Sequence, residues 1–190
     1  LPGFRISAPI LSRLGIDKKT TPASLARAAL NWFKKKTAKD IMRTKNKVRV
    51  PELGKMYLFL YDAKHKDTLP YWDRQPLIVV IKKRGNSVWG LNLHYLPPAL
   101  RMKFLAQLME FTSNKKMDET TRIRVTYSFL NSASKLEAFK PTLHRYLFSH
   151  TKSQFALIPA YEWKYVAMMP LAQWQGAGKR KVYSDSRSKI

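Results

Sequence analysis

Asp62, His65, Asp67 and Asp73 fall within one short stretch of the chain. Carboxylates and a histidine at such spacing can hold a divalent cation for phosphodiester cleavage. The same stretch is polar and contains Pro70, and Asp and His are common turn residues between strands. The solvated-loop reading is the stronger one. Glu137 and Lys140 match half of a nuclease acidic-x-Lys motif only if its spacing is relaxed, with no strand-borne Asp before them. His94, in Asn92-Leu93-His94-Tyr95, closes a predicted strand just before Pro97-Pro98 and reads as a packed, hydrogen-bonded histidine. Gly176-Ala177-Gly178-Lys179 lacks the preceding strand, full spacing and following helix of a phosphate cradle. The chain has no cysteine, which excludes thiolate catalysis, a disulfide framework and a Cys-based zinc site. The sequence therefore predicts no enzyme, no cofactor and no metal.

Binding chemistry is written more strongly. Lys34-Lys35-Lys36 with Lys39, then Arg43, Lys45, Lys47 and Arg49, then Lys82-Lys83-Arg84, then Lys179-Arg180-Lys181 make separated basic clusters. One such run is ordinarily a solvated face. Several of them, on a chain with 36 Lys+Arg against 12 Asp+Glu and a formal net charge of +24, point to a polyanion partner. An imbalance of that size destabilises a free compact chain through self-repulsion. These residues are the predicted contacts to duplex DNA. If about six of them each neutralise one phosphate, the salt slope is about −5, or roughly a thousandfold in affinity between ~50 and ~200 mM salt. No zinc finger, basic zipper or aromatic RNA-binding pattern is present, so binding is expected to ignore sequence. Tyr71, Trp72 and Trp89 are candidates for stacking on a DNA end or for anchoring a partner subunit. The more ordinary role of such aromatics is to fill a small core.

The elements that must position these groups follow from patterning. The chain has 190 residues, 45% of them apolar and 12% aromatic. That suffices for one domain with a real core and excludes a disordered tail. Residues 1–50 carry 13 basic and 2 acidic side chains and read as a basic N-terminal arm. Its one helix starts at Thr21-Pro22, shows an apolar face through Leu25, Ala28, Ala29, Trp32 and Phe33, and ends in the Lys34–Lys39 turns. Residues 43–49 read as a linker. The core, 51–178, opens with strands at 56–61, 77–81 and 88–93, with a hairpin turn at Lys83-Arg84-Gly85-Asn86 and a loop exposing Tyr71 and Trp72. A helical insertion over 98–150 follows: one helix after Pro98 marked by Leu100, Phe104, Leu105, Leu108 and Phe111, one over 120–138, and one over 141–148. Strands return at 154–158 and 163–169, and residues 179–190 form a basic tail. The predicted class is α+β, either a small partly open SH3-like barrel or a five-stranded antiparallel sheet with a helical insertion. No apolar stretch approaches the roughly 18–20 residues of a membrane span, and Leu1-Pro2-Gly3 lacks the order of a signal peptide. The start at Leu1 rather than Met leaves trimming and proteolytic processing both open.

Three stretches carry a resemblance. YDAKHKDTLPYWDRQPLIVVI (residues 61–81) with GLNLHYLPPALR (90–101), SASKLEAFKPTLHRYLFSH (132–150), and SQFALIPAYEW with the closing KVYSDSRSKI together resemble the DNA end protector, or head-completion, family of contractile-tailed bacteriophages. The resemblance runs from about residue 55 to 190 and leaves the basic arm outside. It implies a minor virion protein at the packaged DNA terminus, shielding it from exonuclease and finishing the head for tail joining. Its partners would be the duplex terminus and neck, portal or tail subunits, with no membrane. Two rival readings remain at this point: a connector whose basic surface meets acidic neighbouring subunits, and a magnesium-dependent nuclease.

Overall fold

The computed structural model describes residues 27, 31, 37–98, 100–102, 104–105, 127–132 and 137–188. Strict alternation builds its centre. In β2 (Met56–Leu58) and β4 (Leu77–Arg84), Met56, Leu58, Leu77, Val79 and Ile81 join one core, while Tyr57, Ile78 and Val80 join another. Both sets are buried, so the sheet is covered on two faces, which accounts for the near-continuous apolar runs of these strands. With β1 (Lys47–Val48), β5 (Ser87–Asn92), β6 (Leu143–Leu147) and β7 (Phe155–Ile158), they form one antiparallel sheet in the order β1-β7-β2-β4-β5-β6. A separate ribbon pairs β3 (Trp72–Asp73) with β8 (Trp174–Gln175).

The first core lies under helices. Phe104, Leu105 and Leu130 from helical segments, Trp163 and Val166 of a short helix α2 (Trp163–Val166), and Ile41 of α1 (Ala38–Met42) all pack on it. The second core is aromatic: Tyr57, Phe59, Tyr61, Tyr146 and Phe155. Phe59 follows β2 and Tyr146 is on β6, three strand spacings apart and about 14 Å in a flat sheet. Their ring centroids are 5.2 Å apart, edge to face, so the sheet curls over these rings. It stays open, although Tyr61 bridges Thr151 beyond β6.

The α+β class holds, with differences of detail. The sheet has six strands rather than five, and its strand order alone does not single out an SH3-like plan. The helix expected over 141–148 is instead a 3-10 turn, Glu137–Thr142, leading into β6. Leu143, Tyr146 and Leu147 do have helical spacing, but pairing along all of β6 with β5 outweighs it. The strand expected over 163–169 is α2 and a following turn, because Trp163 Nε1 donates back to the Ile158 carbonyl (2.8 Å) and the chain coils above it. The supposed linker 43–49 supplies the edge strand β1. The arm helix does not run through Lys39 unbroken. Thr37 is extended and caps α1 in a reciprocal box with Asp40. The expected start of that helix at Thr21, Lys34–Lys36, the Leu108–Phe111 stripe and residues 120–126 lie outside the described residues. The basic tail is a helix, α3 (Lys179–Ser188), docked through Val182 and Ser186.

Candidate nucleic-acid interface

The two ends of the β4–β5 hairpin differ sharply. At the inner end, Asn92 terminates β5 and caps the 3-10 turn Leu93–Tyr95, its Oδ1 accepting from His94 N–H at 3.0 Å. Its Nδ2 donates to Asp73 Oδ2 (3.2 Å) and to the Tyr146 hydroxyl (3.1 Å). His94 Nδ1 lies 2.6 Å from the same carboxylate oxygen. Asp73 Oδ1 accepts the backbone N–H groups of Gln75 (3.0 Å) and Gln173 (3.1 Å).

Burial alone would raise the Asp73 pKa. The His94 ring and the surrounding donors outweigh it, and the carboxyl is held below its ordinary value. An ionised carboxylate only accepts, so His94 carries its proton on Nδ1. Burial pushes the His94 pKa down against the pull of Asp73, with the Arg101 charge adding to the fall, and the ring is neutral. Arg101 is buried too. Its guanidinium donates to the carbonyls of Leu96 (2.6 Å), Ala167 (2.9 Å) and His94 (3.1 Å) and to the Tyr183 hydroxyl of α3 (2.6 Å). The Asn92–Arg101 stretch is thus a knot joining the ribbon, the sheet and the C-terminal helix.

The packed-histidine reading of His94 is what the structure shows. Asp73, expected in a solvated loop, is instead 3% exposed and locked in this network. Asp62 is engaged by Lys66 (3.1 Å) and lies 3.9 Å from Lys152. Among the described residues no group of three or more His, Asp or Glu side chains is arranged to hold a metal ion.

The outer end is basic and exposed. The strand register slips between Val80 and Lys82, and this bulge leaves Ile81 buried while Lys82, Lys83 and Arg84 emerge into solvent. Gly85 turns the hairpin at φ +53°, a left-handed value suited to glycine. Lys82 stands opposite Trp89, which in turn pairs with Arg145 of β6. Trp89 therefore sits between two cations, half-buried against the helix-covered core. Arg145, absent from the sequence-based set, donates through Nε to Ser87 Oγ (3.1 Å). Only the cross-strand register reveals it.

The other predicted cations are dispersed. Lys39, Arg43, Lys45, Lys47 and Arg49 are exposed on α1 and around β1, the far edge of the sheet. Lys47 shares a cross-strand row with Ala156, Leu58 and Leu77, on the order of 20 Å from Lys82 by strand spacings and rise. Lys179, Arg180 and Lys181 are exposed on α3, which packs beside Leu93–Tyr95 at the inner end of the hairpin. Lys181 pairs with Asp185 at 2.8 Å, and Lys179 lies 5.6 Å from the Tyr183 ring centre. The hairpin and α3 clusters thus lie at opposite ends of the hairpin rather than side by side.

Tyr71 and Trp72 are half-buried rather than exposed. Tyr71 meets the edge of Trp174 with ring centroids 6.1 Å apart, and Trp72 packs against the aromatic core. Together they wall a cleft of about 290 Å³ between the 64–72 loop and β6. A second cleft, about 640 Å³, lies across Tyr61 and Trp72 and is lined by Lys66, Arg74 and Lys152 with Asp62 and Asp67.

Fold and site define a basic α+β protein in which, among the described residues, Asp73, His94 and Arg101 are bonded within the chain, save for a partnerless His94 Nε2, and the cations of the basic clusters face outward. The chain matches the phage T4 terminal DNA protecting protein family over residues 12–189, and it belongs to that family. The match takes in most of the basic arm, which the sequence resemblance left out. The family is one of DNA-protecting proteins, not of enzymes. No curated protein and no solved structure matches the chain.

Proposed function

We propose that the chain is a non-catalytic virion protein that binds duplex DNA without reading its sequence, shields the packaged terminus and completes the head at the neck. The family match over residues 12–189 carries this reading. A formal charge of +24 supports the electrostatic part, since phosphate contacts supply affinity regardless of sequence. The contacts are Lys39, Arg43, Lys45, Lys47, Arg49, the Lys82–Arg84 hairpin and Lys179–Lys181, with Lys34–Lys36 of the arm, and the neck, portal or tail subunits are the protein partners. Their dispersal suits a long duplex or several neighbours better than one small ligand. The protein would travel in the virion and enter with the DNA. Among the described residues no helix is long and apolar enough to cross a membrane.

The test compares a linear duplex with a closed circle of the same sequence across a salt series, with exonuclease digestion in parallel. Tighter binding to the linear form, with protected ends, is expected. Equal and salt-steep binding to both overturns end protection and leaves a backbone-binding connector. Negligible binding to either moves the basic surface onto acidic protein neighbours.

A further inference from the structure

The cleft of about 290 Å³ is lined by Tyr61, Tyr71, Trp72, Tyr95, His144 and Tyr146, with Lys64 and Leu69 at its loop side. Its size is at the low end of small-molecule sites, which run from about 300 to 1,000 Å³; it has room for one flat base. The walls are packed against one another. Tyr61 meets Tyr146 edge-on at 4.9 Å, Tyr95 meets Trp174 edge-on at 4.7 Å, and Tyr95 lies 4.1 Å from the His144 ring. Asp73 at its floor has all its acceptor capacity taken by His94, Asn92, Gln75 and Gln173. The polar network therefore stiffens the cleft without competing for a ligand. Leu69 is 44% exposed on the loop, an apolar side chain left at the mouth.

Trp72 and Tyr61 also wall the second cleft, where Lys66, Arg74 and Lys152 outnumber Asp62 and Asp67. Asp62 is taken up by Lys66 at 3.1 Å, with Lys152 at 3.9 Å. An aromatic slot for one flat ring beside a channel richer in cations than carboxylates has the chemistry of an unstacked nucleotide and its trailing phosphates. An internal base must leave its partner and two stacked neighbours to enter such a slot, whereas a terminal base leaves its partner but only one stacked neighbour.

We propose that this cleft receives the terminal nucleotide of the DNA, its base unpaired and stacked on Trp72 and Tyr71, its backbone leaving past Lys66, Arg74 and Lys152. This rests on the end-binding reading and adds the place where an end is told from the middle of a duplex.

The test uses the full chain and duplexes carrying the fluorescent base 2-aminopurine either at the terminal position or in the centre, beside a closed circle. Wild-type protein is expected to change the terminal signal and leave the central one unaltered. Leu69→Asp and Lys64→Glu, both on the exposed loop and away from the core, are expected to lose the terminal signal. They should also lose roughly tenfold of the preference for linear over circular DNA, while affinity for the circle falls far less. Trp72→Leu should do the same if its melting curve shows it folded. If all variants keep both the end preference and the terminal signal, the cleft is overturned while end binding stands. If wild-type protein does not prefer ends, both readings fall. Competition by free deoxynucleotide at micromolar concentration would also overturn it, since the slot would then serve a soluble ligand.

Discussion

The β4–β5 hairpin holds two opposite treatments of charge about 20 Å apart. At its inner end Asp73, His94 and Arg101 are each at most 3% exposed, and every charge is answered by named donors and acceptors of the same chain. At its outer end Lys82, Lys83 and Arg84 are exposed, with no ion pair among the described residues. A buried charge must be satisfied internally because desolvation costs several kcal/mol per ion. An exposed one is tolerated at little cost and stays available to a partner. Charges at the inner end are therefore bonded within the chain, and charges at the outer end are the ones we propose for binding.

The sharpest way to break this contrast is Asp73→Ala. It leaves four donors without an acceptor and is expected to cost about 3–5 kcal/mol in denaturant unfolding, or to prevent folding. A loss under about 1 kcal/mol would mean that the network is not held as described.

Acid should produce a smaller effect. The folded state keeps His94 neutral, its pKa lowered by burial, whereas the unfolded chain titrates near 6.5. Below that pH the unfolded state binds a proton that the folded state refuses. Stability is therefore complete above about 6.5 and falls as pH drops, by at most about 1.4 kcal/mol per pH unit for this one group. Asp73, lowered from 3.8, adds a further loss at lower pH in the same direction. Stability curves from pH 7.5 to 5 check this. His94→Asn keeps a donor for Asp73 and should flatten that interval relative to wild type.

The smallest change in stability is expected at the outer end. Reversing Lys82, Lys83 and Arg84 together to Glu should alter unfolding free energy by about 0.5 kcal/mol or less. The same change should weaken binding to every DNA sequence alike and make the salt slope shallower by up to about 3. Loss of folding here would erase the distinction between the two ends.

Much of the sheet was legible because alternation, turn glycine and apolar runs are local signals. β4 and β5 lie close to where the pattern placed them, although β4 runs on through Lys83 and Arg84, which the pattern gave to the turn, and the exposed Lys82–Arg84 run was visible as a run. β6 was read as a helix because its five residues satisfy both periods, and its strand pairing involves residues more than fifty positions away. Of the candidate site, the cations were readable one by one. Arg145 was not, since its place beside Trp89 exists only through register. The cleft was not readable either, as its walls come from residues 61–73, 95 and 144–147.

By itself the sequence determined the charge, the α+β class and the absence of thiol chemistry, all of which depend on composition or on neighbours within a few residues. Tertiary structure alone decided which charges are buried and which are offered. It sent Asp73 inward to His94, and Asp62, only eleven residues earlier, to surface lysines. The two carboxylates are chemically alike, and only the long-range pairing of β3 with β8 brings the Gln173 amide to one of them and leaves the other to water. Burial is a property of what the rest of the chain places around a group, and residue spacing does not encode it.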